Sequence, residues 1–202
     1  MDKQGYLNMR LSLGILAIIL PVMQLLFGLL GYYNFSEWFY SISATFYTNA
    51  GPLFIAVMGA TGIFFIAYGS PYKDKLEKAV NITIGSAGLL LTFIPCSATT
   101  LERVGVLQLN RDTSNVIHCV FAGVFFTLIA FDCLYFFTKG DKHKVSKRKK
   151  NRIFIICGCL IVAFIISQAV TALLHAPGWL TMVNETGMLW SFGCAWIIKG
   201  RE

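Results

Sequence analysis

The residues able to do acid–base or ligand chemistry are few, and they stand at the ends of apolar stretches. His118 falls one turn into an apolar run that begins near Asn115, Glu185 lies at the start of the run from Leu180, and His175 follows the run that ends at Leu174. An imidazole and a carboxylate in or at the rim of a membrane segment are functional candidates by default, because burying them unpaired is expensive. For His118 and Glu185 three uses stay open: a structural hydrogen bond between them, a ligand or head-group site, and a catalytic pair. Asp132 is the other ionisable group inside an apolar run. It follows His118 by 14 residues, so on a helix the two share a face about 21 Å apart. Such a pair can mark the two ends of a proton or ion path, although only Thr127 adds polarity between Val120 and Ala130.

Other chemistries have little to stand on. A catalytic zinc needs about three converging protein ligands and an open position. The chain has three histidines, and His143 lies in a strongly basic stretch remote from His118 and His175. No G-x-S-x-G, H-E-x-x-H or phosphate-binding glycine loop occurs. Ser41, Ser43 and Cys119 could act as nucleophiles beside His118, but no spacing argues for it. Cys157 and Cys159 would point about 200° apart on a helix, a poor chelate. Cys96 and Cys119 could bridge, whereas Cys133, Cys157, Cys159 and Cys194 read as small apolar residues. The sequence therefore predicts no metal and no cofactor, and it leaves enzymatic activity open while favouring a non-enzymatic role.

The elements that carry these residues follow from hydropathy. Only 13% of the 202 residues are charged and 56% are hydrophobic, with a mean hydropathy of +0.65. A disordered chain, a coiled coil and a disulfide-stapled mini-protein are excluded. An all-α, polytopic membrane protein is predicted. Six apolar stretches can cross about 30 Å of hydrocarbon: 11–31, 53–69, 79–96, 115–137, 153–174 and 180–198. Asn184 and Glu185 interrupt the last. The first is too long for a signal peptide, contains Pro21 and lacks an A-x-A site. Six helices use roughly 120 residues, so the chain reads as one transmembrane domain over 1–202 with no room for a catalytic domain.

Six spans place both termini on one side, and fifteen of the seventeen Lys and Arg residues then share that side. Arg103 and Arg111 are the two exceptions. The positive-inside rule puts both termini in the cytoplasm, and the plasma (inner) membrane is the expected location. The net charge of +7 thus reports orientation first. Lys147, Arg148, Lys149, Lys150 and Arg152 suit contact with anionic lipids. On the outer side lie Arg103, Arg111, His175 and an aromatic and hydroxyl-rich loop from Tyr32 to Pro52, suited to the interface. Gly28, Ala56, Gly59, Ala60, Gly62, Gly85, Gly88, Gly158 and Gly193 are small enough for close helix packing. Pro21 is expected to kink the first span and Pro95 to end the third. No internal repeat of the transporter kind occurs.

The run Ser41-Ile42-Ser43-Ala44-Thr45, with Pro52 and Phe54 after it, resembles a motif of the Frag/DRAM/Sfk-like six-span membrane proteins, in which a Ser-Asp-Thr loop precedes the second span. His118, Ala122 and Phe126 resemble the His-x3-Ala-x3-Phe pattern that opens the family's fourth span. Arg152 resembles its basic residue before the fifth span, and Glu185 its acidic residue at the sixth. Ala44 replaces the expected aspartate, and Thr186 stands where an aromatic is usual. The resemblance implies a six-helix bundle with a lipid-related role, its relatives being linked to remodelling of GPI anchors, phospholipid organisation and lysosomal autophagy control.

Together these readings predict a lipid-interacting membrane protein with an outward polar site. His118, Glu185, Ser41, Ser43, Thr45, Arg103, Arg111 and His175 are its candidate ligand residues. A small channel or transporter using Asp132 in an oligomer, and an intramembrane lipid-modifying enzyme, are the alternatives. The expected partners are membrane lipids and, for a channel, further copies of the chain. Nucleic acid is not among them.

Overall fold

The computed structural model describes residues 3–31, 40–69, 74–139 and 145–201. The aromatic residues Tyr32 to Phe39, together with Lys73, Lys142, His143 and Lys144, lie outside the described residues. Among the described residues there are six α-helices: α1 Lys3–Leu30, α2 Gly51–Gly69, α3 Lys75–Phe93, α4 Arg111–Phe131, α5 Val145–Leu173 and α6 Trp179–Lys199. A 3-10 turn, Ser43–Tyr47, precedes α2, and a π segment, Asp132–Phe136, prolongs α4. A two-stranded hairpin, β1 Arg103–Val104 and β2 Leu109–Asn110, connects α3 to α4.

The helical stretches Gln4–Gly28, Arg111–Phe136 and Lys147–Leu173 are long and apolar enough to cross a membrane, as expected of a membrane protein. Gly51–Ala67 is apolar but shorter. α1 runs through Pro21 without ending, and α3 stops at Phe93, two residues before Pro95. Local capping sets two starts. Asp74 accepts from the Leu76 and Glu77 amides at 2.9 and 3.4 Å, and Asn110 accepts from the Asp112 and Thr113 amides at 3.0 and 3.5 Å. Each satisfies N–H groups that a helix start leaves without partners.

Each helix packs on its neighbours in sequence, and α1 also packs on α6, so the six surround one core. At two helix contacts glycine faces glycine. A Cβ on Gly62 would stand 2.8 Å from the Gly85 carbonyl oxygen, and one on Gly85 2.5 Å from that of Gly62. Gly14 and Gly193 repeat the arrangement between α1 and α6, each Cβ 2.8 Å from the other's carbonyl oxygen. Such backbone approach maximises contact where lipid supplies no hydrophobic drive. The core centre is aromatic. Trp196 is fully buried, with ring centroids 4.4 Å from Phe137, 4.8 Å from Phe192 and 5.4 Å from Phe65. The hairpin marks one end of the molecule and the Lys/Arg-rich start of α5 the other.

Candidate functional site

Glu185 sits in the second turn of α6 and reaches the chain before α2. Its Oε2 accepts from the Ile42 amide at 2.5 Å and from the Ser43 amide at 3.4 Å, and its Oε1 accepts from Ser43 Oγ at 3.3 Å. The turn is held elsewhere too. Ser41 Oγ accepts from the Ala44 amide at 2.8 Å, and Thr45 Oγ1 donates to the Ile42 carbonyl at 2.5 Å. From α1, Gln24 donates to Thr45 Oγ1 at 2.7 Å, and Tyr47 donates to the Cys96 carbonyl at 2.7 Å. Burial, with Cys96 nearby, pushes the Tyr47 phenol up to about 12, so it stays a donor. Asn49 donates to the Phe27 carbonyl at 2.9 Å. A loop without regular ladders has its polar groups met by side chains of α1 and α6.

His118 holds the opposite wall. Its Nδ1 lies 2.7 Å from the Ile94 carbonyl oxygen. A carbonyl only accepts, so Nδ1 carries the proton and Nε2 of the neutral ring keeps its lone pair. One turn earlier, Ser114 donates to the Pro95 carbonyl at 2.7 Å, and Asn115 Oδ1 accepts from the Ser97 amide at 3.1 Å. The first two turns of α4 therefore bind the non-helical segment that Pro95 forces after α3. On the third side, Gln168 of α5 donates to Thr181 at 3.2 Å and accepts from Asn184 Nδ2 at 3.1 Å, tying α5 to α6.

These walls enclose a cavity of about 550 Å³ at the hairpin end, lined by residues that include Ser41, Ser43, His118, His175 and Glu185. His118 and Glu185 share it without bonding to each other; each is anchored to backbone instead. Thr45 is fully buried behind the turn and supports it. Arg103 and Arg111 are not in the lining. Arg103 donates to the Gln108 carbonyl at 3.3 Å across the hairpin, and Arg111 pairs with Asp112 at 3.2 Å and donates to the Thr99 carbonyl at 3.4 Å. Cys96 and Cys119 both line the cavity as free thiols.

At the opposite end, Asp132 is fully buried at the start of the π segment, and neither carboxylate oxygen has a hydrogen-bond partner among the described residues. In the basic group, Lys147 donates to the Phe137 carbonyl at 3.0 Å, while Arg148, Lys149 and Arg152 are exposed and Lys150 is half-buried. No group of His, Cys, Asp and Glu among the described residues is arranged to hold a metal ion.

Asn115, Gln168 and Thr181 join the cavity without having been singled out from sequence. Gln168 and the supporting Gln24 carried a usable signal, an amide within an apolar run. The gap between α4 and α5 was not legible. The two helices touch toward the basic end, where a Cβ on Gly158 would meet Leu134 Cγ at 2.6 Å, yet Gly123 nearer the hairpin end has open space around its Cβ position. Protein-family models, curated proteins and solved structures give no match to this chain.

Proposed function

We propose that the chain is a six-span membrane protein, of the kind the Frag/DRAM/Sfk-like resemblance implies, that holds a membrane lipid by its head group. Both termini face the cytoplasm, and the cavity faces outward in the plasma (inner) membrane. The asymmetry of Lys and Arg supports this orientation. The cavity carries the functional reading. Its volume of about 550 Å³ falls within the roughly 300–1,000 Å³ of small-molecule sites. Polar groups of α4, α6 and the 41–43 turn converge in it, while Ala122, Gly123, Phe126, Ile165 and Ala169 supply an apolar flank. A polar end beside an apolar flank matches an amphiphile. Phe125 and Ile129, both fully buried on α4 between His118 and Asp132, favour a closed pocket over a through path.

Lipid retained by detergent-purified protein in native mass spectrometry tests the reading. Ala122→Phe and Ala169→Phe fill the cavity, so both variants should elute as the parent does and lose the retained lipid. Equal retention in both would reject the site.

A further inference from the structure

We infer that the head group carries a primary ammonium, so the occupant is an ethanolamine-type phospholipid whose chain leaves between α4 and α5 past Gly123. This deepens the lipid reading above and rests on it. Charge comes first. The lining holds the carboxylate of Glu185 and the imidazoles of His118 and His175, and no Lys or Arg among the described residues. A head group with net negative charge would meet Glu185 with no fixed cation to offset it. A serine head group adds a second carboxylate with the same difficulty.

Hydrogen-bond direction then separates the cationic head groups. Glu185 can only accept, and His118 presents Nε2 as an acceptor because Nδ1 is engaged with the Ile94 carbonyl. An ammonium group has three N–H donors to give them. A quaternary ammonium has none, so it leaves both acceptors without a hydrogen bond. The adjoining phosphate finds neutral donors. Asn115 engages the chain through Oδ1, its side-chain amide nitrogen has no partner among the described residues, and Ser97 belongs to the same lining.

The chain route follows from Gly123. It is exposed and lines the cavity, and no atom lies within 4 Å of its Cβ position. Ala169 and Ala172 face the same space from α5. The small residues on both helices make this gap the route we assign to the alkyl chain.

The test titrates detergent-purified wild-type protein with ethanolamine, choline and glycerol phospholipids of matched acyl chains, and with soluble O-phosphoethanolamine, read by native mass spectrometry. The ethanolamine lipid should bind on the order of tenfold tighter than the other two. Equal or tighter binding of the glycerol or choline lipid overturns the ammonium assignment and leaves the lipid site standing. If none of the three binds in a manner abolished by Ala122→Phe, both readings fall. Glu185→Gln should reduce the preference for ethanolamine over choline to within about twofold; an undiminished preference in a folded variant overturns the assignment. The wild-type series decides the head group even if that variant does not fold. Gly123→Leu should weaken the long-chain lipid and leave O-phosphoethanolamine unchanged. Soluble O-phosphoethanolamine binding as tightly as the lipid, or long-chain binding unaffected by Gly123→Leu, overturns the chain route.

Discussion

Replacing Glu185 by alanine should destabilise the protein through one backbone amide. Ile42 is 3% exposed and its N–H meets Glu185 Oε2 at 2.5 Å. A hydrogen bond to a charged acceptor contributes about 1.5–3 kcal/mol, and an orphaned buried donor costs about 1–3 kcal/mol. The two Ser43 contacts, at 3.4 and 3.3 Å, are long and border the cavity. Water can replace them there, so they add only a few tenths of a kcal/mol, about the loss expected for Ser43→Ala. Glu185→Ala should therefore lose about 2–3 kcal/mol, and Glu185→Gln, which keeps a neutral acceptor for Ile42, about 1 kcal/mol. Equilibrium unfolding in mixed detergent micelles, followed by the fluorescence of the four tryptophans, measures all three variants. The reasoning fails if alanine costs less than about 0.5 kcal/mol, or if glutamine costs as much as alanine.

Gly85→Ala should lower stability by about 1–3 kcal/mol in the same assay, because the new Cβ meets the Gly62 carbonyl at 2.5 Å. Gly123→Ala should be neutral or stabilising by up to about 1 kcal/mol, since it gains helix propensity in open space; equal effects at the two sites would contradict the packing described. Asp74 is held below the ordinary carboxylate range first by the Lys139 hydrogen bond and then by the Leu76 amide. A depressed carboxylate contributes stability above its unfolded value and loses it as pH falls through its folded value. Asp74→Asn should therefore flatten the acid limb of the stability–pH curve, and an unchanged limb in a pH titration of unfolding would refute the pair's role. Reporter fusions at both termini should show cytoplasmic activity, and a fusion after Gly105 should show the opposite; the same sign at all three would overturn the proposed orientation.

The helices were legible because apolar runs show directly in the sequence: each of the six predicted stretches overlaps a helix, and three of the helices are long and apolar enough to cross a membrane. The gathering of His118, Glu185, Ser41 and Ser43 was legible for a related reason: consecutive antiparallel helices bring every second junction to the same end. Partners were not legible. Helical spacing gives the direction of His118 on α4, but its bond goes to the carbonyl of Ile94, freed where Pro95 follows the end of α3. The Glu185 partners are likewise amides of a turn that Gln24 of α1, 21 residues before Thr45, helps to hold. Arg103 and Arg111 share the right end with the cavity yet stay outside it: a four-residue loop, with Gly105 at φ 70° and Gln108 at φ 48°, folds residues 103–110 into a hairpin across which Arg103 donates to Gln108, while Arg111 is held by Asp112 and the Thr99 carbonyl.

The anchoring of both ionisable residues has a consequence for the site. A side chain fixed to backbone by one atom keeps its other acceptor positions in place before any ligand arrives. His118 does this through Nδ1, and Glu185 through Oε2 on the Ile42 amide. Preorganisation removes part of the ordering cost of binding, so even a small head group can be held selectively. The expected His118–Glu185 bond is not made, but the clamp that each residue forms on backbone instead is compatible with the ligand-binding use. The bonds that clamp the segments before α2 and after α3 also hold both residues in the lining of one cavity, and loosening either clamp should weaken a bound lipid even where the substituted residue never touches it. Gln24→Leu, two contacts away from the cavity, isolates that effect: it should weaken retained lipid about as much as it loosens the 41–45 turn, and unchanged lipid retention in a variant with that turn demonstrably mobile would show that the clamp and the site are independent.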